Sequence, residues 1–527
     1  MREWFAVGRE RFSAQGWVTA SVLLVGVALV SKGLGLIRDL LTAEYFGAKA
    51  DVDAFFFALS VALLPGSGIG VALSAMVVPL YQNLALSGRG DASRRVTVHM
   101  IILTGGLSLV AVAPLLLFAP SVVPWLAAST SEGLVATVGA VLPWLCLYVV
   151  GQNVVFVQSA VFEARHHFII PAVSDLAFNV VVILVLLGLS QSWGIRALAF
   201  GNVLGTTACA GLLFCFLAAA GMIGLPGGTP MPDHWRSYGF AFPIMLWEFG
   251  AQVIAVAQNY YAAQLPEGHV AALNYAGRIS VILVALLALN ISRGVFPTLS
   301  ALWLQRKRDE ASRILSTIGK QMAVVFVPLG LVGILHGERV LSWLYVRGVF
   351  DGHALHLTAM AFSVYCAALV VGVLEPVLLK ACYACSDSRT PMMAMIGSEF
   401  LVVAGLPVVT SRWGIAGIAG LANAVLCARV ALLLLVLDRR LGGATTIDVA
   451  KTAMVAGVCA AGACVLSAWL SVRTDLEFLL WMALYSVTYG LFAWFFLADE
   501  VRPYVQRVRL MGGRLCRAVP RRWSSLP

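Results

Sequence analysis

Two cations and a carboxylate interrupt the first long apolar stretch of the chain. Lys32, Arg38 and Asp39 lie there close together in the sequence. Charged side chains are costly inside a membrane helix, and they usually face a polar ligand or partner. At about 100° per residue, these three side chains share one helical face of roughly 120° with Ser31 and Gly35. This face is therefore predicted to bind an anionic group.

Polar residues form stripes on other apolar segments as well. Glu248 and Gln252 lie one turn apart and share a helical face with Asn259, and Asn274 lies one turn before Arg278. Polar side chains of this kind are expected to line a water-filled cavity, because toward lipid they would have no partners. The segments that carry them are therefore predicted to surround a polar cavity.

Each of these charged residues also has a purely structural interpretation. Arg38 and Asp39 can pair with each other near a helix end, and Arg278 can extend its side chain to the membrane interface. Asp53 can cap the helix of the second apolar segment. Glu375 can form an interhelical hydrogen bond that has no role in transport. The sequence leaves these alternatives open.

The composition indicates that these segments lie in a membrane. Hydrophobic residues make up 60% of the chain and charged residues only 12%, against about 25% charged residues in soluble proteins. The chain is therefore predicted to be an all-α, polytopic membrane protein. Fourteen apolar segments are long enough to cross a bilayer, which takes about 20 residues. They are 17–45, 53–82, 96–119, 134–161, 168–189, 194–221, 238–263, 270–302, 314–337, 354–381, 390–410, 414–436, 449–472 and 477–497.

The distribution of basic residues predicts the orientation, because Lys and Arg accumulate in cytoplasmic loops. With the N-terminus inside, 24 of the 36 Lys and Arg residues lie on the cytoplasmic side and six on the opposite side. Both termini are then cytoplasmic. The net charge of +10 reflects this orientation and a basic tail that can lie on anionic membrane lipids. Nucleic-acid binding is not expected.

No motif in the sequence indicates an enzyme. The loops are short, and none combines Ser, His and Asp residues, a Gly-rich phosphate loop or metal-ligand spacing. Neither a catalytic site nor a metal site is therefore predicted. Cys382 and Cys385 have no second Cys or His pair nearby, so we interpret them as core residues rather than a redox or metal site. The first apolar segment is too long for a cleaved signal peptide.

An internal repeat divides the chain into related halves. A shift of 220 residues superposes Trp193-Gly194-Ile195 on Trp413-Gly414-Ile415, and Pro171 on Pro391. The repeat contains an even number of spans, so its halves have the same orientation and face each other across a cavity. The predicted organisation is a first lobe of six helices (1–221), a cytoplasmic linker (222–237), a second lobe of six helices (238–436), two further helices (437–497) and a basic cytoplasmic tail (498–527).

Six short motifs follow one another along the chain: Ser31-Lys32-x-x-Gly35-x-x-Arg38-Asp39, Phe46-Gly47, Asp53-Ala54-Phe55-Phe56, Val78-Pro79, Tyr275-Ala276-x-Arg278 and Cys382-Tyr383-Ala384-x-x-Asp387-x-Arg389-Thr390-Pro391. In this order they resemble the MurJ (MviN) lipid II flippases of the multidrug/oligosaccharidyl-lipid/polysaccharide exporter superfamily. The resemblance covers at least residues 20–435. The ordered combination is far more specific than any single motif.

The resemblance implies an alternating-access flippase with 14 helices in the bacterial inner membrane. Such a protein moves an undecaprenyl-pyrophosphate-linked saccharide from the cytoplasmic to the outer leaflet, without a cofactor. Carried over to this sequence, it implies that Lys32, Arg38 and Arg278 hold the pyrophosphate in a central cavity. It also implies that Asp39 and Asp53 are their acidic partners. A polysaccharide polymerase and glycosyltransferases are the expected protein partners.

The second apolar segment departs from the family pattern. Lipid II flippases have a basic pair and then Glu-Gly there, whereas this chain is uncharged from Leu64 to Val71. This difference favours the repeat unit of an exopolysaccharide or capsule as the substrate, with lipid II as the alternative. A multidrug or cation antiporter is a third hypothesis, which Lys32 and Arg38 disfavour. A membrane scaffold of a polysaccharide synthase, without transport activity, is a fourth.

Carboxylates of the second lobe are candidates for energy coupling. Glu248 and Glu399 are predicted to bind a proton or a sodium ion during transport. Alternatively, the membrane potential acts on the cavity cations, at about 2.3 kcal/mol per charge per 100 mV. The sequence does not distinguish these sources of energy.

Overall fold

The computed structural model describes residues 14–86, 90–126, 132–165, 167–224, 235–385, 387, 389–443, 445–467 and 474–498. These residues form helices joined by short turns, and no β-strand occurs among them. The helices are α1 (Ala14–Phe46), α2 (Ala50–Leu86), α3 (Gly90–Leu126), α4 (Glu132–Ala164), α5 (Ile169–Trp193), α6 (Ile195–Ala219), α7 (Trp235–Ala263), α8 (His269–Leu304), α9 (Arg308–Tyr345), α10 (Gly352–Ala367), α11 (Leu369–Ala384), α12 (Arg389–Leu441), α13 (Thr445–Ser467) and α14 (Asp475–Phe496).

Each of the fourteen predicted apolar segments overlaps one of these helices, and the all-α membrane fold is confirmed. Two predicted segments fall within α12, and one is divided between α10 and α11. Among the described residues, nine helices are long and apolar enough to cross a membrane, or ten if α10 and α11 form one bent span. This test does not confirm the predicted count of fourteen spans.

The internal repeat is visible in the backbone of two turns. Gly194, between α5 and α6, has φ +56° and ψ −141°. Gly414, which interrupts α12, has φ +55° and ψ −136°. Residues with side chains rarely adopt a positive φ, so both turns require glycine. The two Trp-Gly-Ile motifs therefore form the same kind of helix break, 220 residues apart.

The chain divides into two compact units. The first contains the described residues up to Ala276 together with Glu338–Ala361 and Glu399–Leu421. The second contains Gly277–Gly337, Phe362–Ser398 and the described residues from Ala422 onward. The lobe boundaries expected from the sequence repeat stay a prediction.

The C-terminal half of α2 is packed into a hydrophobic core of the first unit. Its buried residues recur at the three- and four-residue spacing of one helical face. They contact apolar residues of α3, α4 and α6, including Met100, Phe162 and Leu213. Close packing of this kind holds the C-terminal end of α2 in place. The buried α2 residues of this core are Leu73, Met76, Val77, Leu80, Tyr81 and Leu84.

In the second unit, α14 satisfies a helix break in α9. Pro328 lies inside α9 and has no N–H to bond the Val324 carbonyl. The Tyr489 hydroxyl donates to that carbonyl at 2.6 Å, and the Tyr485 hydroxyl donates to the Pro328 carbonyl at 3.2 Å. A backbone carbonyl without a partner is costly inside a membrane, so the two tyrosines stabilise the contact of α14 with α9.

The Cys382–Pro391 motif forms a helix junction. Asp387 accepts a hydrogen bond from the Thr390 N–H at 3.0 Å, and it forms an ion pair with Arg440 at 2.7 Å. Burial by itself raises the pKa of the Asp387 carboxyl, but the hydrogen bonds of Thr390 and the charge of Arg440 outweigh it, so this pKa lies below its ordinary value. Cys382 and Cys385 are buried free thiols. The motif thus caps α12 and joins both of its ends.

Glu375 has a structural partner inside the second unit. Its Oε1 lies 2.5 Å from Arg429 Nη2, and Arg429 Nη1 donates to Ser398 Oγ at 2.8 Å. Both charged side chains are more than four-fifths buried. The ion pair joins α11 to α12, which agrees with the structural interpretation of Glu375.

Breaking this ion pair is expected to destabilise the protein. Arg429→Leu leaves the Glu375 charge unpaired in a mostly buried place, so we expect the free energy of unfolding to fall by about 2–4 kcal/mol. The double variant Glu375→Leu/Arg429→Leu removes both charges, and it is expected to recover most of that loss. Thermal unfolding of the purified protein in nanodiscs measures both effects. Equal melting temperatures for wild type and Arg429→Leu would contradict the assignment.

Candidate functional site

The charged residues of α1 lie against α5. Arg38 Nη2 and Nε donate to Asp39 Oδ1 at 3.0 and 3.2 Å. The Arg38 guanidinium also lies 5.6 Å from the centre of the Phe178 ring on α5, which is a cation–π distance. Asp39 is buried, and Arg38 is mostly buried. Arg38 is therefore oriented by a carboxylate and by an aromatic ring.

The polar face predicted on α1 continues toward α5. Ser31 Oγ donates to Asp175 Oδ2 at 3.3 Å, and Asn179 donates to the backbone carbonyl of Asp175 at 3.0 Å. Lys32 is exposed, and it forms no hydrogen bond or ion pair with another described residue. Its ammonium group is thus available to an anionic ligand, whereas Arg38 already has a partner.

Arg278, the third predicted phosphate ligand, is half-buried on α8. It belongs to the second unit, whereas Lys32 and Arg38 belong to the first. The convergence of the three cations on one ligand stays a prediction.

Asp53 binds the start of another helix. Its Oδ2 accepts the Gly268 N–H and its Oδ1 accepts the Ala271 N–H, each at 2.6 Å. The N–H groups at a helix start have no partners within the helix, and they carry partial positive charge. Asp53 lies on α2 but caps α8, and it is 4% exposed. A second hydrogen bond joins the starts of the same two helices: Glu267, just before α8, accepts the Ala50 N–H of α2 at 2.8 Å.

Further contacts surround this cap. Asn274 on α8 donates to Asn259 Oδ1 on α7 at 2.9 Å. The Tyr275 hydroxyl donates to the Gly47 carbonyl at 3.1 Å, and the Tyr275 ring contacts those of Phe56 and Tyr345. We name the set of contacts made by Asp53, Glu267 and Tyr275 the α2–α8 latch.

Sequence reasoning placed Asp53 in the site but missed its partner. Gly268 stands immediately before α8, where a Ser, Thr, Asp or Asn would normally cap the helix. A helix start without such a side chain needs an external acceptor for its N–H groups. The missing capping side chain at Gly268 was therefore the signal available in the sequence. It could show that a partner was required, but not that Asp53, some 215 residues earlier, supplies it.

The two candidate coupling carboxylates meet the same stretch of α7. Glu248 is half-buried on α7, and its Cβ lies next to Gly68 of α2. Glu399, from α12, lies directly against Gly250, so a Cβ at that position would overlap its carboxylate. The absence of a side chain at Gly250 is what lets Glu399 approach the α7 backbone. Both carboxylates thus lie near residues 248–250 of α7.

One family of known proteins matches most of the chain. The family described as "Lipid II flippase MurJ" matches residues 42–488. This chain belongs to the MurJ family.

Curated members of the MurJ family match most of the chain. The lipid II flippase MurJ of Burkholderia cenocepacia is 24% identical over 394 residues, covering 72% of this chain and 75% of the relative. The probable lipid II flippase MurJ of Aquifex aeolicus is 25% identical over 386 residues, with coverage of 72% and 75%. The motif-based recognition of the family is confirmed.

Solved structures show the same fold. A structure titled "Lipid II flippase MurJ, inward closed conformation" aligns with a TM-score of 0.74 and 19% identity, covering 91% of this chain and all of that chain. An inward-facing multidrug resistance MATE transporter of the MOP superfamily aligns with a TM-score of 0.64 and 13% identity, covering 80% and 94%. The chain is therefore a multi-pass membrane protein of a transporter family, and not an enzyme.

The α2 segment from Leu64 to Val71 carries no charged residue. It faces α7 across a cavity of about 440 Å³, whose described lining is apolar and aromatic and includes Leu64, Val253 and Tyr260. A second, smaller cavity between the same helices is lined by Leu64, Pro65 and Ile69 together with apolar residues of α7. No cation of α2 reaches either cavity wall. Of these two helices, α1 carries cations and α2 carries none.

Proposed function

We propose that this protein is a flippase that moves lipid II from the cytoplasmic to the outer leaflet by alternating access. The observation that carries the proposal is the family match over residues 42–488. The related proteins named in the comparisons are lipid II flippases or probable lipid II flippases. The preference for an exopolysaccharide unit, drawn from the uncharged α2 segment, finds no support in them.

The cations of α1 suit a pyrophosphate-linked substrate. A diphosphate needs cations that stay charged when partly removed from water, and the guanidinium of arginine offers a planar, two-toothed donor. Arg38 is already oriented by Asp39 and Phe178. Lys32 supplies a second charge without the planar fork, and its exposure lets it meet the substrate first. Arg278 is the third cation that the family resemblance assigns to the pyrophosphate.

The α2–α8 latch is the proposed outer gate. With both termini in the cytoplasm, the turns between α1 and α2 and between α7 and α8 lie on the outer side of the membrane. Asp53, Glu267 and Tyr275 join these turns, so the first unit is closed at its outer end. A closed outer end is the arrangement in which substrate is loaded from the cytoplasm. The basic C-terminal segment then faces the anionic inner leaflet.

An exopolysaccharide or capsule unit remains the second candidate substrate, because α2 lacks charge from Leu64 to Val71. Both substrates share the undecaprenyl pyrophosphate, so only the saccharide distinguishes them. A cation antiporter would place Lys32 and Arg38 against like charge. A scaffold without transport activity predicts that neutralising these cations leaves export unchanged.

Complementation distinguishes the two substrates. We expect this chain to restore growth of a bacterial strain depleted of its lipid II flippase. In the rescued cells, lipid II should not accumulate at the inner leaflet. The Lys32→Ala/Arg38→Ala variant, produced at equal abundance, is the negative control. The second candidate would become the proposed substrate if two results were found together. The depleted strain would stop growing although the wild-type protein is correctly inserted, and polymer export would be restored in a strain that lacks its exopolysaccharide flippase.

The energy source is tested by neutral variants of the two carboxylates. If Glu248 and Glu399 bind a proton or sodium ion, Glu248→Gln and Glu399→Gln are each expected to lower the rate of flipping by about ten-fold, since a bound cation drives transport only where its charge is recognised. Flipping in proteoliposomes is measured across pH and sodium concentration. Asp309→Asn, an exposed carboxylate change on α9, is the matched control. Normal flipping by both variants under all conditions would instead favour the membrane potential.

A further inference from the structure

The middle of α2 is a weak helical segment. Pro65 lies inside the helix, where it has no N–H to donate to the Val61 carbonyl and its ring crowds that carbonyl. Gly66, Gly68 and Gly70 follow at once. Glycine is the weakest helix former after proline. Three glycines and a proline within six residues therefore leave this part of α2 dependent on its neighbours.

The side chain of Asn153, on α4, binds both ends of one turn of this segment. Its Oδ1 accepts the Gly70 N–H at 3.1 Å, and its Nδ2 donates to the Gly66 carbonyl at 2.8 Å. These two backbone groups are four residues apart and would pair with each other in an uninterrupted α-helix. Asn153 is 1% exposed, and Nδ2 also donates to Ser108 Oγ on α3 at 2.8 Å. The amide of Asn153 thus binds two backbone groups, the Gly70 N–H and the Gly66 carbonyl, that pair with each other in a regular α-helix.

Close packing explains why the segment has no side chains on two faces. A Cβ at Gly66 would lie 2.8 Å from a valine methyl group of α4, and one at Gly70 would lie 2.5 Å from Asn153 Oδ1. On the other side, a Cβ at Gly68 would lie 2.9 Å from the Met245 carbonyl of α7. Small residues let helix backbones approach this closely inside a membrane. The segment is held between α4 and α7, with no room for a cation at these positions.

The weak segment separates two halves of α2 that have different partners. The inner half, from Leu73 to Leu84, is buried in the hydrophobic core with α3, α4 and α6. The outer half carries Asp53 and Phe56, which contact the start of α8. The outer half is buried among apolar residues as well, but it is joined to α8 by the hydrogen bonds of Asp53, which can be broken and reformed. A movement of the outer half alone would bend α2 at the weak segment between the halves.

We propose that Pro65–Gly70 is a hinge in α2 and that Asn153 is its positioning residue. The proposal rests on the transport function given above. When the α2–α8 latch opens, the outer half of α2 bends away at this hinge while the inner half stays packed. A helix bends at low cost where a proline removes one of its hydrogen bonds and glycines follow. This role also accounts for the absence of charge from Leu64 to Val71, since glycines needed for the hinge occupy this segment.

Hydrogen exchange of the full-length protein in nanodiscs tests the hinge without any transport assay. In the wild type, backbone amides of residues 66–72 are expected to exchange about ten-fold faster than those of residues 73–84. Pro65→Ala restores a donor and a good helix former, so exchange in the segment is expected to slow. Asn153→Ala removes the amide that holds Gly66 and Gly70, so exchange there is expected to rise. Pro114→Ala, an exposed change on α3, is the matched control.

The same variants are then compared in lipid flipping. Pro65→Ala and Asn153→Ala are each expected to lower the flipping rate by about ten-fold, although they move exchange in opposite directions. Uniform exchange along α2 in the wild type, or a shift in the same direction for both variants, overturns the hinge. If Asn153→Ala does not fold, the wild type and Pro65→Ala still decide the question. The expected exchange pattern without any flipping by the wild type would support the hinge and refute the proposed function.

Discussion

Replacing Arg38 with alanine is expected to abolish flipping while the protein still folds. Arg38 lies on the polar face of α1, where it is held by Asp39 and Phe178. In the proposed site the guanidinium donates two charge-assisted hydrogen bonds to the pyrophosphate, and each is worth about 1.5–3 kcal/mol. At 1.4 kcal/mol per factor of ten, the flipping rate should fall by roughly 30-fold or more. Transport of a fluorescent undecaprenyl-pyrophosphate saccharide in proteoliposomes measures this loss.

Two further variants separate charge from geometry. Arg38→Lys keeps the positive charge but loses the planar fork, so it is expected to retain part of the activity. Arg196→Ala, an exposed cation at the start of α6, is the matched control and should flip at the wild-type rate. Full activity in Arg38→Ala, with protein abundance and melting temperature unchanged, would move the pyrophosphate site away from α1.

Most of the fold was predictable because a bilayer imposes simple rules on sequence. A helix that crosses it must be apolar over about 20 residues, so hydropathy alone located segments that all overlap helices. The repeat of Trp-Gly-Ile likewise predicted two turns that share one backbone conformation at Gly194 and Gly414. Hydropathy could not predict that α12 continues through such a turn, or that the contact-based units cut across several helices, because both depend on tertiary packing.

The candidate site was predictable in its residue types but not in its pairings. Charge inside an apolar segment singled out Lys32, Arg38 and Asp39. The family resemblance added Asp53. The partner of Asp53 could not be read from the sequence, because that partner is a pair of backbone N–H groups and any residue type supplies them. Asn153 was missed for a similar reason. A single asparagine in an apolar helix gives no indication that it binds the backbone of another helix.

In the proposed function, the latch would connect substrate binding to gating. Asp39 and Lys32 lie on α1, and the turn that follows α1 contains Gly47, whose carbonyl accepts the Tyr275 hydroxyl. A displacement of α1 on binding the pyrophosphate would therefore reach the latch through a short, rigid connection. In the loaded protein, opening requires that the hydrogen bonds of Asp53 be given up. The strength of these bonds sets the balance between the closed and open outer gate.

Replacing Asp53 with alanine is expected to open the outer gate and to lower the flipping rate by about ten-fold or more. The variant removes two short charge-assisted hydrogen bonds, each worth about 1.5–3 kcal/mol, so the closed state should lose its dominance. Spin labels at Lys49 and Gln264, both exposed and next to the latch, report the opening as a second, longer distance. Asp51→Asn, an exposed carboxylate change two residues before Asp53 on α2, is the matched control and should retain a single short distance. Unchanged distances in Asp53→Ala, with normal flipping, would show that Asp53 only stabilises the helix start and that the gate lies elsewhere.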